Sequence, residues 1–338
     1  MDEDEASPLQ TKKITKKDDS KWTFWLVYST VVCVGGSSFQ FGYNTSCINS
    51  PETIIKAFYR KHGHFTDFEW AVVVSIFAVG GMLGAIIGAY LASQFGRKKT
   101  LLVNNITAFI GVLFIFISYE TKEPALLMVG RFIIGVNSGI NTSVVPMYLS
   151  EIAPISLRGA IGTMNQFGII AGLLTGFVFG LKEVLGNESG WPLLMCFSIV
   201  PATIQAVTLP CSPRSPRYLL LKLNHEASAV YALQVLRGTT DVSEDIAEMR
   251  SEQEAAILEQ GVSIREMFTM KDLRMPLLIA VVLQCSQQLS GINAVFYYST
   301  STFDKAHVPG SQYATVAVGV VSIIMSAITV SIYVSSSW

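Results

Sequence analysis

The sequence predicts an all-α membrane protein with eight transmembrane helices. Of its 338 residues, 50% are hydrophobic and 14% are charged, whereas a soluble domain carries about 25% charge. Because about 20 apolar residues cross the hydrocarbon core of a bilayer, each long stretch without Asp, Glu, Lys or Arg is a candidate span. These stretches are Trp22–Pro51, Trp70–Gly96, Thr100–Tyr119, Phe132–Ser150, Gly159–Leu181, Ser189–Pro213, Met275–Phe303 and Val308–Trp338.

Charged or polar segments bound each span in turn. The first span is too long for the apolar part of a signal peptide, and no clear cleavage site follows it. The separating charges are the group from 52 to 69, Arg97–Lys99, the group from 120 to 131, Glu151 with Arg158, the group from 182 to 188, the stretch Arg214–Arg274, and Asp304 with Lys305. The result is six spans, a long polar linker and two further spans.

Four segments follow from this pattern. We expect a cytoplasmic N-terminal tail at 1–21, a six-helix bundle at 22–210, a cytoplasmic helical linker at 211–274, and the two spans of an incomplete second bundle at 275–338. Runs in the linker such as Asp241–Glu259 predict short solvated helices on the membrane surface.

The basic residues predict the orientation. With the N-terminus in the cytoplasm, 17 of the 24 Lys and Arg residues lie inside. Over the short segments, to which the positive-inside rule applies, the count is 9 against 7. The residues expected outside are Lys56, Arg60, Lys61, Lys122, Arg131, Lys182 and Lys305. The triplet Arg97–Lys99 is the strongest marker of the inner side.

Composition excludes several other functions. The net charge of −1 leaves no basic surplus for nucleic acid. The five cysteines are scattered and form neither a disulfide framework nor a CxxC metal site. No nucleophile, metal-ligand or cofactor-loop pattern is present, so we expect no enzyme, no metal and no cofactor. The expected partners are the lipid bilayer and a small solute.

Glycine spacing predicts close helix packing. Gly80, Gly84 and Gly88 lie four residues apart. The same spacing recurs in the fifth span at Gly168, Gly172, Gly176 and Gly180. Each set forms a smooth stripe against which a second helix can lie closely. Chance in a glycine-rich chain is the alternative, and four glycines in register argue against it.

Carboxamides within the spans are the candidate functional residues. They are Gln40 and Asn44 in the first span, Asn165 and Gln166 in the fifth, and Gln284, Gln287, Gln288 and Asn293 in the seventh. Amides donate and accept hydrogen bonds without charge, which suits a neutral polyol such as a sugar. The alternative is interhelical bonding worth about 0.6 kcal/mol each. Eight amides favour a water-filled cavity.

The seventh span is expected to break. Gln284, Gln287 and Gln288 share one helical face, but Asn293 points roughly 140° away on a straight helix. It joins that face only if the helix is interrupted near Ser290–Gly291. Residues 37–44 also align with 286–293, matching Ser, Gly and Asn at three of eight positions, a faint repeat that would make the first and seventh spans equivalent.

One sequon lies outside the spans. Asn187-Glu188-Ser189 is an N-glycosylation acceptor on the expected outer side. We expect glycosylation at Asn187, with its closeness to the bilayer as the argument against it. The sequons at Asn44, Asn105 and Asn141 lie within spans and are discounted.

The chain resembles the facilitative glucose transporters of animals, which are sugar porters of the major facilitator superfamily. The resemblance runs from about Gln40 to Thr329. It is carried by Gln40-Phe-Gly-Tyr-Asn44, Phe95-Gly-Arg-Lys-Lys99, Gly130-Arg-Phe-Ile-Ile-Gly-Val136, Pro146-Met-Tyr-Leu-Ser-Glu151 through Leu157-Arg-Gly159, and Gln287 through Tyr298. It implies a major facilitator fold and plasma-membrane transport of hexose, most simply D-glucose.

The resemblance also implies residue roles. The sugar ligands are Gln166, Gln287, Gln288 and Asn293, with Gln284 beside them and Ser322 at a position where the family has asparagine. Tyr297 and Tyr298 match the outer gate, and Arg97, Glu151, Arg158 and Arg217 match a cytoplasmic charge network. Asn44 stands where proton-coupled relatives have aspartate, which implies uncoupled uniport.

Beside Ser322, two further departures from the family matter, and the second leaves two hypotheses open. Arg214 replaces a glutamate of the charge network, a change expected to weaken the inner gate by repelling Arg97 or Arg158. The family has twelve spans, so the chain is expected to be truncated after the eighth. It is then either a transporter or a non-conducting product that acts as a subunit of a homo- or hetero-oligomer or has no activity.

Overall fold

The described part of the chain is entirely helical, as predicted. The computed structural model describes residues 22–258 and 270–336, and no strand occurs in these ranges. Its α-helices are Phe24–Cys33, Phe39–Ser46, Glu52–His62, Asp67–Phe95, Arg97–Thr121, Pro124–Ile152, Arg158–Phe179, Trp191–Cys196, Ile199–Thr208, Glu226–Arg237, Ser243–Leu258, Lys271–Leu289, Ile292–Lys305 and Ser311–Ser336. The predicted tail 1–21 and residues 259–269 of the predicted linker lie outside the described residues.

Within residues 22–258 and 270–336, eight segments are long and apolar enough to cross a membrane. They are Phe24–Ser46, Asp67–Phe95, Arg97–Thr121, Pro124–Ile152, Ile155–Phe179, Trp191–Cys211, Arg274–Lys305 and Ser311–Ile332, called here the first to eighth spans. The eight predicted spans are therefore confirmed. Consecutive spans run in opposite directions. We call the end of the molecule that carries Arg97 the Arg97 face and the opposite end, which carries Glu52, the Glu52 face.

The glycine stripes pack as predicted. A Cβ atom added at Gly80 or Gly84 would overlap the backbone of the fourth span at Phe132 or Val136. One added at Gly172 would overlap the carbonyl oxygen of Phe39 in the first span. The second span therefore lies directly on the fourth and the fifth on the first, because only hydrogen fits between their backbones.

One buried cation corrects the predicted boundary of the fourth span. The helix begins at Pro124, so Arg131 lies about a quarter of the way along it and is 0% exposed. The expectation that Arg131 belongs to an outer loop was wrong. Its guanidinium donates to the carbonyl oxygen of Asn44 (2.8 Å) and lies 4.6 Å from the centroid of the Phe77 ring. These contacts compensate part of the cost of burying the charge.

The polar segment after the sixth span folds against the Arg97 face. The hydroxyl of Thr23 donates to the carbonyl oxygen of Leu236 at 2.6 Å, which ties helix Glu226–Arg237 to the start of the first span. Arg237 donates to the carbonyl oxygen of Ile152 (2.8 Å) and pairs with Asp245 (3.2 Å). Helix Ser243–Leu258 confirms the surface helix predicted near Asp241–Glu259 within the described residues.

The last two spans differ in how they meet the bundle. The eighth span packs along the fifth, where Gly319 lies against Leu174 and Phe177. The second half of the seventh span, Ile292–Lys305, contacts the first span and the eighth. Its first half has no buried side chain among the residues whose exposure is described, 274–289.

Candidate functional site

The seventh span is interrupted at Ser290–Gly291, the place predicted from the positions of its amides. Helix Lys271–Leu289 ends, Gly291 adopts a left-handed conformation (φ 75°), and a second helix starts at Ile292. Glycine has no Cβ and adopts this conformation without strain. The amide nitrogen of Asn293 then donates to Gln288 Oε1 at 2.7 Å. The predicted break is confirmed, and it brings Asn293 to the amide face.

The remaining amides of this face are open. Gln284, Gln287 and Gln288 are exposed, and within the described residues the only side-chain hydrogen bond among them is the one that Gln288 accepts from Asn293. Gln166 in the fifth span is exposed too, and no hydrogen bond in the described part of the chain links it to the seventh span. These carboxamides keep most of their donors and acceptors for a solute or water.

The two amides of the first span are placed differently. Gln40 and Asn44 are buried within the six-span bundle, at 0% and 2% exposure. The side chain of Gln40 has no partner among the described residues, and the backbone carbonyl of Asn44 accepts from Arg131. Neither therefore belongs to the exposed set, because this part of the first span packs against the fourth and fifth spans. The expectation that all eight amides share one cavity was wrong for these two.

Ser322 lies in the eighth span and is half-buried. Its hydroxyl donates to the carbonyl oxygen of Val318 at 2.9 Å, one turn earlier in the same helix. The oxygen keeps its acceptor capacity. This is the position at which the resembled family places a longer amide.

Tyr297 and Tyr298 pack against the first span at the Glu52 face. Both are half-buried and contact an aromatic cluster that includes Tyr43 and Trp191. They lie in helix Ile292–Lys305, six and seven residues after the break at Gly291. Their role as an outer gate stays a prediction.

Asn49 joins the first span to the seventh and was missed from the sequence. Its amide nitrogen donates to the carbonyl oxygen of Phe296 (2.7 Å) and to Ser299 Oγ (2.9 Å), and its oxygen accepts from the Thr300 amide (3.1 Å). Thr315 of the eighth span bonds to the hydroxyls of Ser299 (3.1 Å) and Thr300 (2.9 Å). We call Asn49, Ser299, Thr300 and Thr315 the Asn49 cluster. The sequence gives one signal for this contact. A polar residue, Asn49, follows the first span, and the polar pair Ser299-Thr300 follows the two tyrosines of the seventh.

A charge cluster lies beside this contact. Lys56 pairs with Glu52 at 2.7 Å and with Asp67 at 2.9 Å. Burial alone lowers the pKa of Lys56, but the hydrogen bonds and charges of Glu52 and Asp67 together outweigh it and raise that pKa above its ordinary value. The cluster clamps the helix after the first span to the start of the second.

The Arg97 face contains the ion pair expected of the cytoplasmic network. Arg97 donates to Glu151 Oε1 at 2.6 Å, and the Ser215 hydroxyl donates to the other carboxylate oxygen. Arg97 also lies 5.4 Å from the centroid of the Tyr218 ring. Arg97, Glu151 and Ser215 thereby connect the turn between the second and third spans, the end of the fourth span and the linker.

The other two arginines of that network are not joined to Glu151. Arg217 pairs with Glu252 on helix Ser243–Leu258 at 2.9 Å. Arg158 is exposed and has no ion pair among the described residues. Arg214, which is expected to repel Arg97 or Arg158, is exposed as well.

Asn187 closes a turn at the Glu52 face. Its amide nitrogen donates to the carbonyl oxygens of Lys182 (3.2 Å) and Val184 (3.4 Å). Its oxygen accepts from Ser189 Oγ (3.1 Å) and from the Gly190 amide (2.8 Å). The side chain is half-buried, and a glycan on it would replace these contacts.

Solved structures establish the fold of the chain. The chain superimposes on the major facilitator proton:xylose symporter XylE bound to 6-bromo-6-deoxy-D-glucose with a TM-score of 0.74 at 23% identity, covering 90% of this chain and 68% of that one. It superimposes on the partially occluded inward open conformation of the xylose transporter XylE from E. coli with a TM-score of 0.72 at 22% identity, covering 89% and 71%. The described part of the chain thus has the major facilitator fold.

Sequence comparison gives the family. The family model "Sugar (and other) transporter" matches residues 28–338, so the chain belongs to this family. It is 44% identical over 322 residues to facilitated glucose transporter member 3 of Gallus gallus, covering 92% of this chain and 65% of the relative. It is 46% identical over 306 residues to member 1 of Gallus gallus, covering 86% and 62%.

These matches confirm the resemblance to facilitative glucose transporters inferred from the sequence motifs. The relatives are transporters by name, and the chain, as a member of their family, is not an enzyme. The chain spans less than two thirds of the length of these two curated relatives.

Proposed function

We propose that the chain takes part in facilitative, uncoupled transport of hexose, D-glucose above all, across the plasma membrane by alternating access. The family, together with relatives named as facilitated glucose transporters, supports this proposal. We further propose that the N-terminus lies in the cytoplasm, so that the Arg97 face is the inner side. The domains are those expected from the sequence: tail 1–21, bundle 22–210, linker 211–274 and second bundle 275–338.

The broken seventh span is the observation that carries the proposal. Uncharged amides with unbonded donors and acceptors are costly in a membrane helix unless a polar solute or water meets them. A hexose presents hydroxyl groups that both donate and accept. Transporter binding sites are commonly built at interrupted helices near the middle of the membrane. The proposed ligands are Gln166, Gln284, Gln287, Gln288, Asn293 and Ser322.

Two polar contacts at opposite faces suit alternating access. The Asn49 cluster holds the second half of the seventh span to the first span at the Glu52 face, beside Tyr297 and Tyr298. At the other end, Arg97, Glu151 and Ser215 join the bundle to the linker. Both contacts are formed in this structure, so a two-state gate requires that a different one of them opens in each transport state.

The absence of coupling to protons is proposed from Asn44. A carboxamide does not take up or release a proton near neutral pH. The Arg131 guanidinium contacts the backbone of Asn44 and has no ion pair among the described residues. No carboxylate is therefore placed there to exchange a proton with bulk water.

A second candidate function is a non-conducting subunit, which is favoured by one observation. The first half of the seventh span, which carries three of the proposed ligands, has no buried side chain among the residues whose exposure is described, 274–289. Amides that face lipid lose their hydrogen-bond partners. The chain would then act by association with another transporter chain, or would be inactive.

Uptake of radiolabelled D-glucose into proteoliposomes that contain the 338-residue chain separates the two functions. Saturable uptake that is lost in Gln287→Ala and retained in Gln94→Ala supports transport, because Gln94 is an exposed amide at the Arg97 face. No uptake from correctly folded protein supports the second function. A pH-sensitive dye inside the vesicles tests coupling: alkalinisation or acidification that accompanies glucose entry would refute uniport.

A further inference from the structure

A cavity of about 550 Å³ opens at the Arg97 face, away from the amides of the seventh span. Its lining consists of the start of the first span, the end of the sixth span, the segment 212–219 that follows it and one side of helix Glu226–Arg237. The lining residues used below are Trp25, Cys211, Arg214, Leu219, Tyr231 and Val235. This volume lies within the range of roughly 300–1,000 Å³ typical of small-ligand pockets.

The cavity lies at the level where the bilayer meets water. Trp25 is in the first turn of the first span, and Cys211 is the last residue of the sixth. Phe24 and Tyr231 nearby are 71% and 69% exposed. Aromatic side chains with this exposure are typical of the membrane interface. The deeper wall, formed by Leu219 and Val235, is apolar.

Positive charge without a carboxylate partner lines the mouth. Arg214 is exposed and has no ion pair among the described residues. Lys98 reaches the same segment of the lining, at Ser212, two residues before Arg214. The Lys98 ammonium donates to the carbonyl oxygens of Pro210 (2.7 Å) and Ser212 (2.6 Å), and no carboxylate in the described residues pairs with it. The nearby acid Glu226 is neutralised by Arg250 at 2.6 Å.

We propose that this cavity binds an anionic phospholipid from the adjoining leaflet. One acyl chain lies against Leu219, Val235 and Trp25, and the phosphate meets Arg214 and Lys98. The combination of an apolar wall, an interfacial aromatic and unpaired cations is complementary to a lipid that carries negative charge. A zwitterionic lipid offers the same chains without the net charge, so the site discriminates by headgroup.

The chain's own tail is the competing occupant. Residues 1–21 contain five lysines and six carboxylates, and Lys21 is adjacent to the first described residue, Trp22. The lysines would be repelled by Arg214, whereas the carboxylates would be attracted to it. Headgroup-selective retention of a lipid in the test below distinguishes the lipid from the tail.

The test uses the full chain in nanodiscs of neutral phosphatidylcholine, with and without 20 mol% phosphatidylserine. Native mass spectrometry counts the lipids that the protein retains after release. We expect preferential retention of one phosphatidylserine, and at least about fivefold weaker retention in Arg214→Glu, since each basic group near an anionic surface contributes about 1 kcal/mol. The resembled family has glutamate at this position, so the variant is expected to fold.

Two further variants make the result specific. Lys222→Glu makes the same charge change on an exposed residue of the same face that does not line the cavity, and it should retain the lipid. Val235→Trp fills the apolar wall and should release the lipid while leaving Arg214 in place. Equal retention of both headgroups, or equal loss in Arg214→Glu and Lys222→Glu, would overturn the proposal. Retention unchanged by Val235→Trp would show that the tail or the surface holds the lipid instead.

Discussion

Two sets of carboxamides in this molecule have the same chemistry and opposite surroundings. Between the third and fourth spans, Asn104, Asn137 and Asn141 are buried and bond to one another. Asn104 Nδ2 donates to the Asn137 carbonyl oxygen (2.9 Å) and to Asn141 Oδ1 (2.8 Å), and Asn137 Nδ2 donates back to the Asn104 carbonyl oxygen (2.9 Å). In the seventh span, Gln284 and Gln287 are exposed and make no such bond within the described residues.

The difference separates structural amides from candidate ligands. An amide whose donors and acceptors are used between helices stabilises the bundle and offers nothing to a solute. An amide whose donors and acceptors stay unbonded does not stabilise the bundle, so its presence in a span needs another explanation. The number of amides in the spans is therefore larger than the number of candidate ligands, because amides that bond to one another between helices are not free to bind a solute.

The largest expected effect concerns the packed bundle. Gly172→Ala places a methyl group against the carbonyl oxygen of Phe39 and should destabilise the protein by about 1–3 kcal/mol or more. Gly162→Ala is the control, because nothing lies within 4 Å of its added Cβ. It should be neutral, or stabilising by roughly 0.5–1 kcal/mol as expected for glycine to alanine in a helix. Thermal unfolding in detergent measures both, and similar midpoints would contradict the close contact of the first and fifth spans.

The sequence predicted the elements that depend on local pattern. The spans follow from runs of apolar residues, the stripe at Gly172 from a spacing of four, and the break at Gly291 from the face that Asn293 has to reach. Each of these signals lies within one helix, where periodicity determines which residues share a face.

Features that depend on contacts between distant segments could not be predicted. Arg131 was assigned to a loop because its charge is the last before an apolar run, and its compensation by Phe77 and the carbonyl of Asn44 is visible only in three dimensions. Asn49 was missed because its partners at 296–300 lie about 250 positions later in the chain. The sequence groups Gln40 with the cavity amides, because a charge-free span looks the same whether its amide faces a cavity or is buried between helices, as Gln40 is.

The next prediction tests the division of the amides. Asn104→Leu removes two interhelical bonds and should destabilise the protein by about 1–2 kcal/mol, since single bonds of this kind contribute about 0.6 kcal/mol and at most about 1.7. Asn105→Leu is the matched control, because Asn105 is also buried but its amide nitrogen has no partner in the described residues. Gln284→Leu should leave the unfolding midpoint unchanged. A cost for Gln284→Leu as large as that for Asn104→Leu would show that the seventh-span amides are structural.

A smaller and more local effect is expected at the Asn49 cluster. Asn49→Ala removes three hydrogen bonds to the second half of the seventh span and should speed amide hydrogen exchange at 296–303 about fivefold or more, with little change in the first half. Ser50→Ala is the control, since the buried Ser50 hydroxyl has no partner among the described residues. If exchange rises equally in both variants, Asn49 does not hold the two segments together.

The smallest effect concerns the charge cluster on the same face and appears only in alkali. Because the pKa of Lys56 is raised on folding, its pairing with Glu52 and Asp67 stabilises the protein fully below the unfolded pKa, about 10.4, and is lost as pH rises through the folded value. The melting temperature of the wild type should therefore fall more steeply above that pH than that of Lys56→Arg, whose guanidinium stays charged. Lys61→Arg changes an exposed lysine without an ion pair in the described residues, so it should follow the wild type. Parallel curves for all three proteins would mean that solvent screens the cluster, and that Asn49 rather than Lys56 stabilises the Glu52 face.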